Sequence, residues 1–266
     1  MILAPLFHKA WRDHRRGFIG WLVGVIGITI IQLSVYPSIR DSRASWGEAI
    51  KQFPEALQKM FRMADYTSEI GYLSTELFAI TLPLLFIGVG ASWGARATAE
   101  DEETGTADIL LSLPISRRSV IATRMVAMFS ALVALAAVLF ATLMVGAQFL
   151  DLSISVSRYI DAGIVLVLVG MVFGAIAMLF GTITGHKGAA LGYSVGLAIA
   201  LFVLYSLAPL VSAFETILKF NPLQWTIGSQ PLALGIDTPY MLLALGLTAT
   251  LIAGATIMFD RRDIVA

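Results

Sequence analysis

The chain has no cysteine among its 266 residues. That absence excludes disulfides, thiolate nucleophiles and cysteine-ligated metals or clusters together, and says nothing about compartment. Charge is also scarce: only 14% of residues are charged, against about 25% in soluble domains. The net charge is zero, so nothing supports a general attraction to nucleic acid, and the basic residues have to be read by position. Three histidines, His8, His14 and His186, do not form a metal-ligand cluster, and His8 and His14 are six apart rather than the three or four that would share a helix face. No G-x-x-x-x-G-K-[ST] occurs, so the chain has no phosphate-cradling loop. The nearest approach, "GTITGHKG" at 181–188, has His186 where glycine is needed and reads as a turn.

What the chain has instead is apolar length. Hydrophobic residues make up 58% of it, and six runs reach the roughly 17–25 residues that a helix needs to cross a hydrocarbon core. They lie near 17–36, 76–95, 121–149, 160–182, 189–210 and 239–259. The alternating segments of about 10 residues expected of a membrane β-barrel are missing. The fold class is therefore all-α, a polytopic membrane protein of one domain spanning 1–266. The N-terminus is basic and then apolar, but its apolar run is too long for a signal peptide and is read as a retained first span.

Six spans put both termini on one side. That side carries Lys9, Arg12, Arg15, Arg16, Arg96, Arg117, Arg118, Arg124, Lys187, Arg261 and Arg262. The opposite side carries Arg40, Arg43, Lys51, Lys59, Arg62, Arg158 and Lys219, five of them in one long loop where Asp41, Glu48, Glu55, Asp65 and Glu69 match them. The positive-inside rule then makes both termini cytoplasmic.

Between the spans, three segments have a pattern of their own. Leu3, Phe7, Ala10, Trp11, His14 and Phe18 recur at helical spacing and predict an amphipathic helix on the inner leaflet, Trp at the interface. In the outer loop 37–75, Trp46, Ile50, Phe53, Leu57, Met60 and Ala64 follow a period near 3.6 that Pro54 interrupts, which predicts two short surface helices. The stretch 211–237 is moderately apolar but broken by Asn221-Pro222, Gly228, Pro231 and Gly235. It either dips into the membrane and returns or forms an ordinary outer loop.

Ionisable groups in span centres would mark a proton or ion path. Glu76, Asp161 and Glu215 all map near outer span ends, which weighs against such a path; a gradient-driven secondary transporter is the competing reading, and a membrane-embedded enzyme a third. Thr142, Thr182 and Ser194 are expected to bond backbone carbonyls of their own helices. Glycines at four-residue spacing, Gly20/Gly24, Gly90/Gly94, Gly170/Gly174, Gly181/Gly185 and Gly188/Gly192/Gly196, are expected to let helices pack closely. Pro83 and Pro209 are expected to kink their spans.

One charged stretch interrupts this pattern: "AEDEETGTADILLSLPISRR", residues 99–118, between spans two and three, within the inner loop 96–120. Thr104 or Thr106 is placed to cap a helix, with acids Glu100, Asp101, Glu102 and Glu103 just before its positive end. Ile109, Leu110 and Leu113 share one side, and Pro114 stops the helix. A helix this short is unstable alone in water, so its apolar side needs a partner, either the neighbouring spans or a groove on a soluble protein.

These residues resemble the inner loop of type-2 ABC exporter permeases, the membrane subunits of ATP-driven bacterial exporters. Glu102, Glu103, Gly105, Thr106, Leu110, Leu111, Pro114, Ser116 and Arg117 carry the match, and the surface helix, the six spans and the interrupted segment before span six extend it over nearly the whole chain. The long charged outer loop departs from the family pattern. The resemblance implies a transport subunit without catalytic, cofactor or metal residues, in the bacterial cytoplasmic membrane. It would work with a second permease copy or paralogue and with two copies of a cytosolic ATPase that holds ATP and Mg. In this view 104–113 is a coupling helix: Ile109, Leu110 and Leu113 form its buried anchor, and the acids 100–103, Gly105, Thr106, Pro114, Arg117 and Arg118 frame it. The apolar span surfaces point to a hydrophobic or amphipathic cargo such as a lipid, drug or antibiotic.

Overall fold

A computed structural model describes residues 3–54, 57–58, 65–106 and 115–261. Its helices are α1 (Leu3–Asp41), α2 (Arg43–Gln52), α3 (Glu69–Glu103), α4 (Arg117–Leu150), α5 (Val156–Thr184), α6 (Lys187–Leu207), the short α7 (Ser212–Leu218), α8 (Pro222–Trp225) and α9 (Pro231–Leu234), and α10 (Thr238–Arg261). Six of them, α1, α3, α4, α5, α6 and α10, are long and apolar enough to cross a membrane. α1, α3, α4 and α5 contain their predicted spans and extend them by a turn or more at one or both ends, α10 exceeds its span by one and two residues, and α6 starts two residues before its span and stops three short of its end. The protein is an all-α polytopic membrane protein.

α5 is the hub. It packs against α3, α4, α6 and α10, and 72% of its most apolar window is buried, against 17% for α6. The α3–α5 contact is made by glycine. A Cβ on Gly90 would collide with the carbonyl oxygen of Gly170, and one on Gly94 with that of Gly174. Lipid tails are as apolar as leucine, so spans gain by close backbone approach rather than by transfer from water. Thr98 adds a hydrogen bond from its Oγ1 to the Met178 carbonyl at 3.0 Å. Gly20, Gly24, Gly188, Gly192 and Gly196 face open space in the single chain, so the four-residue spacing marks a packed face at some sites and a free one at others.

α5 and α6 form a tight hairpin. Gly185, in the left-handed region at φ 69°, ends α5 and its N–H bonds back to Gly181 O at 2.9 Å. The 181–188 stretch is this turn. Thr142 and Thr182 bond carbonyls of their own helices as expected. Ser194 does not: its Oγ donates across the hairpin to Phe173 O of α5 at 2.8 Å.

The amphipathic N-terminal segment is helical but continuous with the first span, and its apolar face is used within the bundle. Trp11, His14 and Phe18 surround Trp93 of α3, with ring centroids 5.3, 4.4 and 6.3 Å away. Trp11 Nε1 donates to Ser130 Oγ of α4 at 3.0 Å, which turns its polar edge inward rather than to headgroups. In the long loop, α2 stops at Gln52, just before Phe53 and Pro54, and buries none of its residues; the second predicted surface helix falls mostly outside the described residues.

α3 holds a π-helical turn, Ser74–Thr81, in which Leu82 N–H reaches back to Leu77 O. It ends two residues before Pro83, which has no N–H to donate and whose ring would crowd the carbonyl four residues back; the wider turn relieves that conflict. Pro209 lies in a 3-10 turn, Ala208–Leu210, that closes α6 instead of kinking it.

The stretch 211–237 folds back on the bundle. Asn221, 1% exposed, donates from Nδ2 to Leu201 O of α6 at 2.8 Å and accepts from Leu223 N–H at 2.9 Å. Leu201 lies six residues before the end of α6, roughly 9 Å down the helix at 1.5 Å per residue. Leu223, Thr226, Ile227 and Leu232 are buried there. Short helical turns keep most of the backbone hydrogen bonds local, as a dipping segment requires.

Candidate functional site

The connection between α3 and α4 is the chemically distinct part of the chain, and its two roots are well defined. On the entry side, α3 continues through all four acids. Thr104 N–H bonds to Glu100 O at 3.0 Å, Gly105 N–H to Glu102 O at 3.2 Å and Thr106 N–H to Asp101 O at 2.8 Å, with Gly105 in the left-handed region at φ 65°. This is a helix C-terminus. Glu100–Glu103 thus occupy the last turn of span two, and Gly105 readily takes the left-handed reversal that follows; the helix that Thr104 or Thr106 is expected to start lies outside the described residues.

Acids in a last turn oppose the helix dipole and need compensation. For Glu100, Asp101 and Glu103 the cations come from other helices or from the preceding turn. Asp101, 9% exposed, is bound by Arg124 of α4 through Nη2, lies 3.9 Å from Lys9 Nζ of α1, and accepts from Thr106 Oγ1 at 3.2 Å. Arg124 uses its other terminal nitrogen on Ala97 O at 2.9 Å. The side chains of Arg124 and Asp101 are only 15% and 12% exposed. Glu103 accepts the Lys187 N–H at 2.6 Å, with Lys187 Nζ 3.8 Å from its other oxygen. It thereby caps the start of α6, where His186 makes no side-chain cap. Glu100 pairs with Arg96 one turn earlier at 3.5 Å.

On the exit side, Ser116 caps α4 by accepting from Ser119 N–H at 3.2 Å. Arg117 donates to the Phe259 carbonyl at 3.1 Å, and Arg118 Nε meets Asp260 Oδ2 at 2.6 Å. A cation on the last carbonyls of α10 satisfies acceptors that a helix end leaves open. The connection is thus bound to α1, α4 and α6 at one root and to α10 at the other. Ile109, Leu110, Leu113 and Pro114, the predicted anchor and stop, lie outside the described residues.

Sequence reasoning did not find Arg124 or Lys9 as partners of Asp101. A signal was available: Arg124 falls four residues into the third apolar run, and a cation inside a span demands a nearby anion. Among the outer-end acids, Glu76 accepts from Tyr66 Oη at 2.8 Å and Gln32 Nε2 at 3.3 Å. Among the described residues no group of three or more His, Asp or Glu is placed to hold a metal.

Compared with known families, residues 4–264 match the one described as ABC-2 family transporter protein. No curated protein matches the chain.

Proposed function

The chain belongs to the ABC-2 family of transporter proteins, and from that membership we propose that it is the permease of an ATP-driven exporter whose motor is a separate cytosolic ATPase. An ABC transporter permease is a membrane transport subunit. The observation that carries the finer reading is the family match over residues 4–264, together with a loop rooted in four helices that sits between the second and third spans, where the resemblance puts a coupling helix.

In this reading both termini are cytoplasmic, two permeases face each other, and two ATPase copies bind ATP and Mg. ATP closes the ATPase pair, and the push reaches the loop through Ile109, Leu110 and Leu113. A displaced loop changes nothing unless it is coupled to elements with two arrangements. Here Asp101–Arg124, Glu103–Lys187 and Arg118–Asp260 supply that coupling, so that α3, α4, α6 and α10 move with the loop. ATP must also favour one arrangement over the other, since equal affinity for both shifts no population. The apolar outer faces, such as Ile19, Val23, Phe129 and Ile199, suit a hydrophobic or amphipathic cargo that enters from lipid.

The test is co-purification from native membranes. Leu110→Asp and Leu113→Asp are expected to lose a stoichiometric nucleotide-binding chain, or to keep it while hydrolysis no longer drives export, with the six-span subunit still inserted. Unchanged co-purification and transport in both variants would remove the docking surface from the argument.

A further inference from the structure

At the end of the bundle opposite the termini, a cavity of about 820 Å³ opens between the π-helical turn of α3 and the stretch leading into α9. Ser74, Thr75 and Phe78 form one wall, and Ile227, Gln230 and Leu232 the other. Drug-sized ligands occupy concave sites of about 300–1,000 Å³ with mainly apolar walls and a few polar groups. This space has that size and that chemistry.

Both walls depart from regular backbone. The π turn is eight residues long, and π segments in α-helices recur at functional sites. Gln230 adopts the left-handed region at φ 53° directly before Pro231, a conformation that a non-glycine residue holds only where its surroundings fix it. The hydroxyls of Ser74 and Thr75 are buried without a partner, on adjacent residues of the same wall. Native interiors seldom leave such groups unmatched, and rotation about χ1 turns either hydroxyl toward a bound molecule.

The charge of the lining sets the class of ligand. Asp65 carries the one formal charge among the described lining residues, and none of them is Lys, Arg or His. The Asp65 carboxylate accepts from the neutral Ser68 hydroxyl, so its charge is not cancelled by that contact. An anion would meet a carboxylate with no cation among those residues, whereas an amine or a neutral donor would meet an acceptor.

We infer that this cavity binds an amphipathic small molecule with a neutral or positively charged head, its apolar body against Phe78, Ile227 and Leu232 and its head toward Asp65. That the occupant is cargo near its exit rests on the permease reading; that it binds at all does not.

The experiment uses the full chain in phosphatidylcholine nanodiscs without any ATPase, so its outcome is independent of the co-purification test. Rhodamine 6G, a lipophilic aromatic cation, is titrated by fluorescence anisotropy against empty discs, with 8-anilinonaphthalene-1-sulfonate as the anionic counterpart. The expected result is saturable binding of the cation and none of the anion above empty discs. Ala79→Trp and Ala233→Phe, which fill the space from opposite walls, are each expected to weaken the cation at least tenfold. Asp65→Asn should weaken it several-fold. Circular dichroism and elution volume check that each variant is folded, and either filling variant alone suffices if the other fails that check. No saturable binding to the unaltered chain, unchanged affinity in a folded filling variant, or equal binding of the anion would overturn the assignment.

Discussion

Removing either member of the Asp101–Arg124 pair should loosen the root of the α3–α4 connection by an amount that the structure bounds. Breaking a buried ion pair from one side costs about 3–5 kcal/mol, because the remaining charge stays out of water without its partner. Arg124→Met leaves Asp101 with Lys9 at 3.9 Å and Thr106 at 3.2 Å, so about 3 kcal/mol is expected. Asp101→Asn keeps a carbonyl oxygen facing Arg124 and removes the charge assistance, for about 1.5 kcal/mol. With both changes the lost interaction is counted once, so the double variant should cost about 3 kcal/mol rather than about 4.5, a coupling near 1.5 kcal/mol. The assay is equilibrium unfolding in mixed micelles followed by tryptophan fluorescence. Trp93 is a suitable reporter, since it shares an inner-end cleft with Asp101 and Arg124. Hydrogen exchange at the Thr104, Gly105 and Thr106 amides, which bond back into α3, should speed up in both single variants. Additivity within about 0.5 kcal/mol would refute the reasoning, since it would mean that the two side chains do not act on each other.

Gly90→Ala and Gly94→Ala should each destabilise the bundle by about 1–3 kcal/mol, because the new methyl meets backbone that cannot step aside. Gly192→Ala, on an open face, should be neutral or stabilising by up to about 1 kcal/mol, and equal effects at the two kinds of site would contradict the packing described. Burial first, and then its hydrogen bond to Glu76, hold the Tyr66 phenol above the ordinary tyrosine pKa of 10. The folded chain therefore keeps a proton that the unfolded chain releases. The stability this contributes is full below about pH 10 and lost as pH climbs through the folded value. The difference between the unaltered protein and Tyr66→Phe should show no phenolate absorbance near pH 10; a phenolate step there would place Tyr66 in water.

Much of the fold was legible because the solvent imposes it. A chain with 58% hydrophobic residues has to satisfy its backbone internally within lipid, so apolar length alone locates the six spans. The same holds for the family, whose loop residues sit between spans two and three. Caps were less legible. Four acids followed by Thr-Gly-Thr fit the start of one helix as well as the end of another, and the bonds from Thr104, Gly105 and Thr106 N–H back into α3 show that they end span two. Glycine spacing likewise announces small surfaces without saying which of them meet.

By itself, then, the sequence determined class, the six spans and family, since hydropathy and a compact motif are local properties that need no partner. Only the tertiary structure decided that Gly90 and Gly94 face Gly170 and Gly174, that Asp101 belongs to Arg124 and Lys9, and that Glu103 caps α6. Those pairings join residues about 20 to 90 positions apart. They depend on how helices rotate and slide against one another, and hydropathy leaves both motions undetermined because every lipid-facing rotation is nearly equal in energy until close packing and paired charges select one.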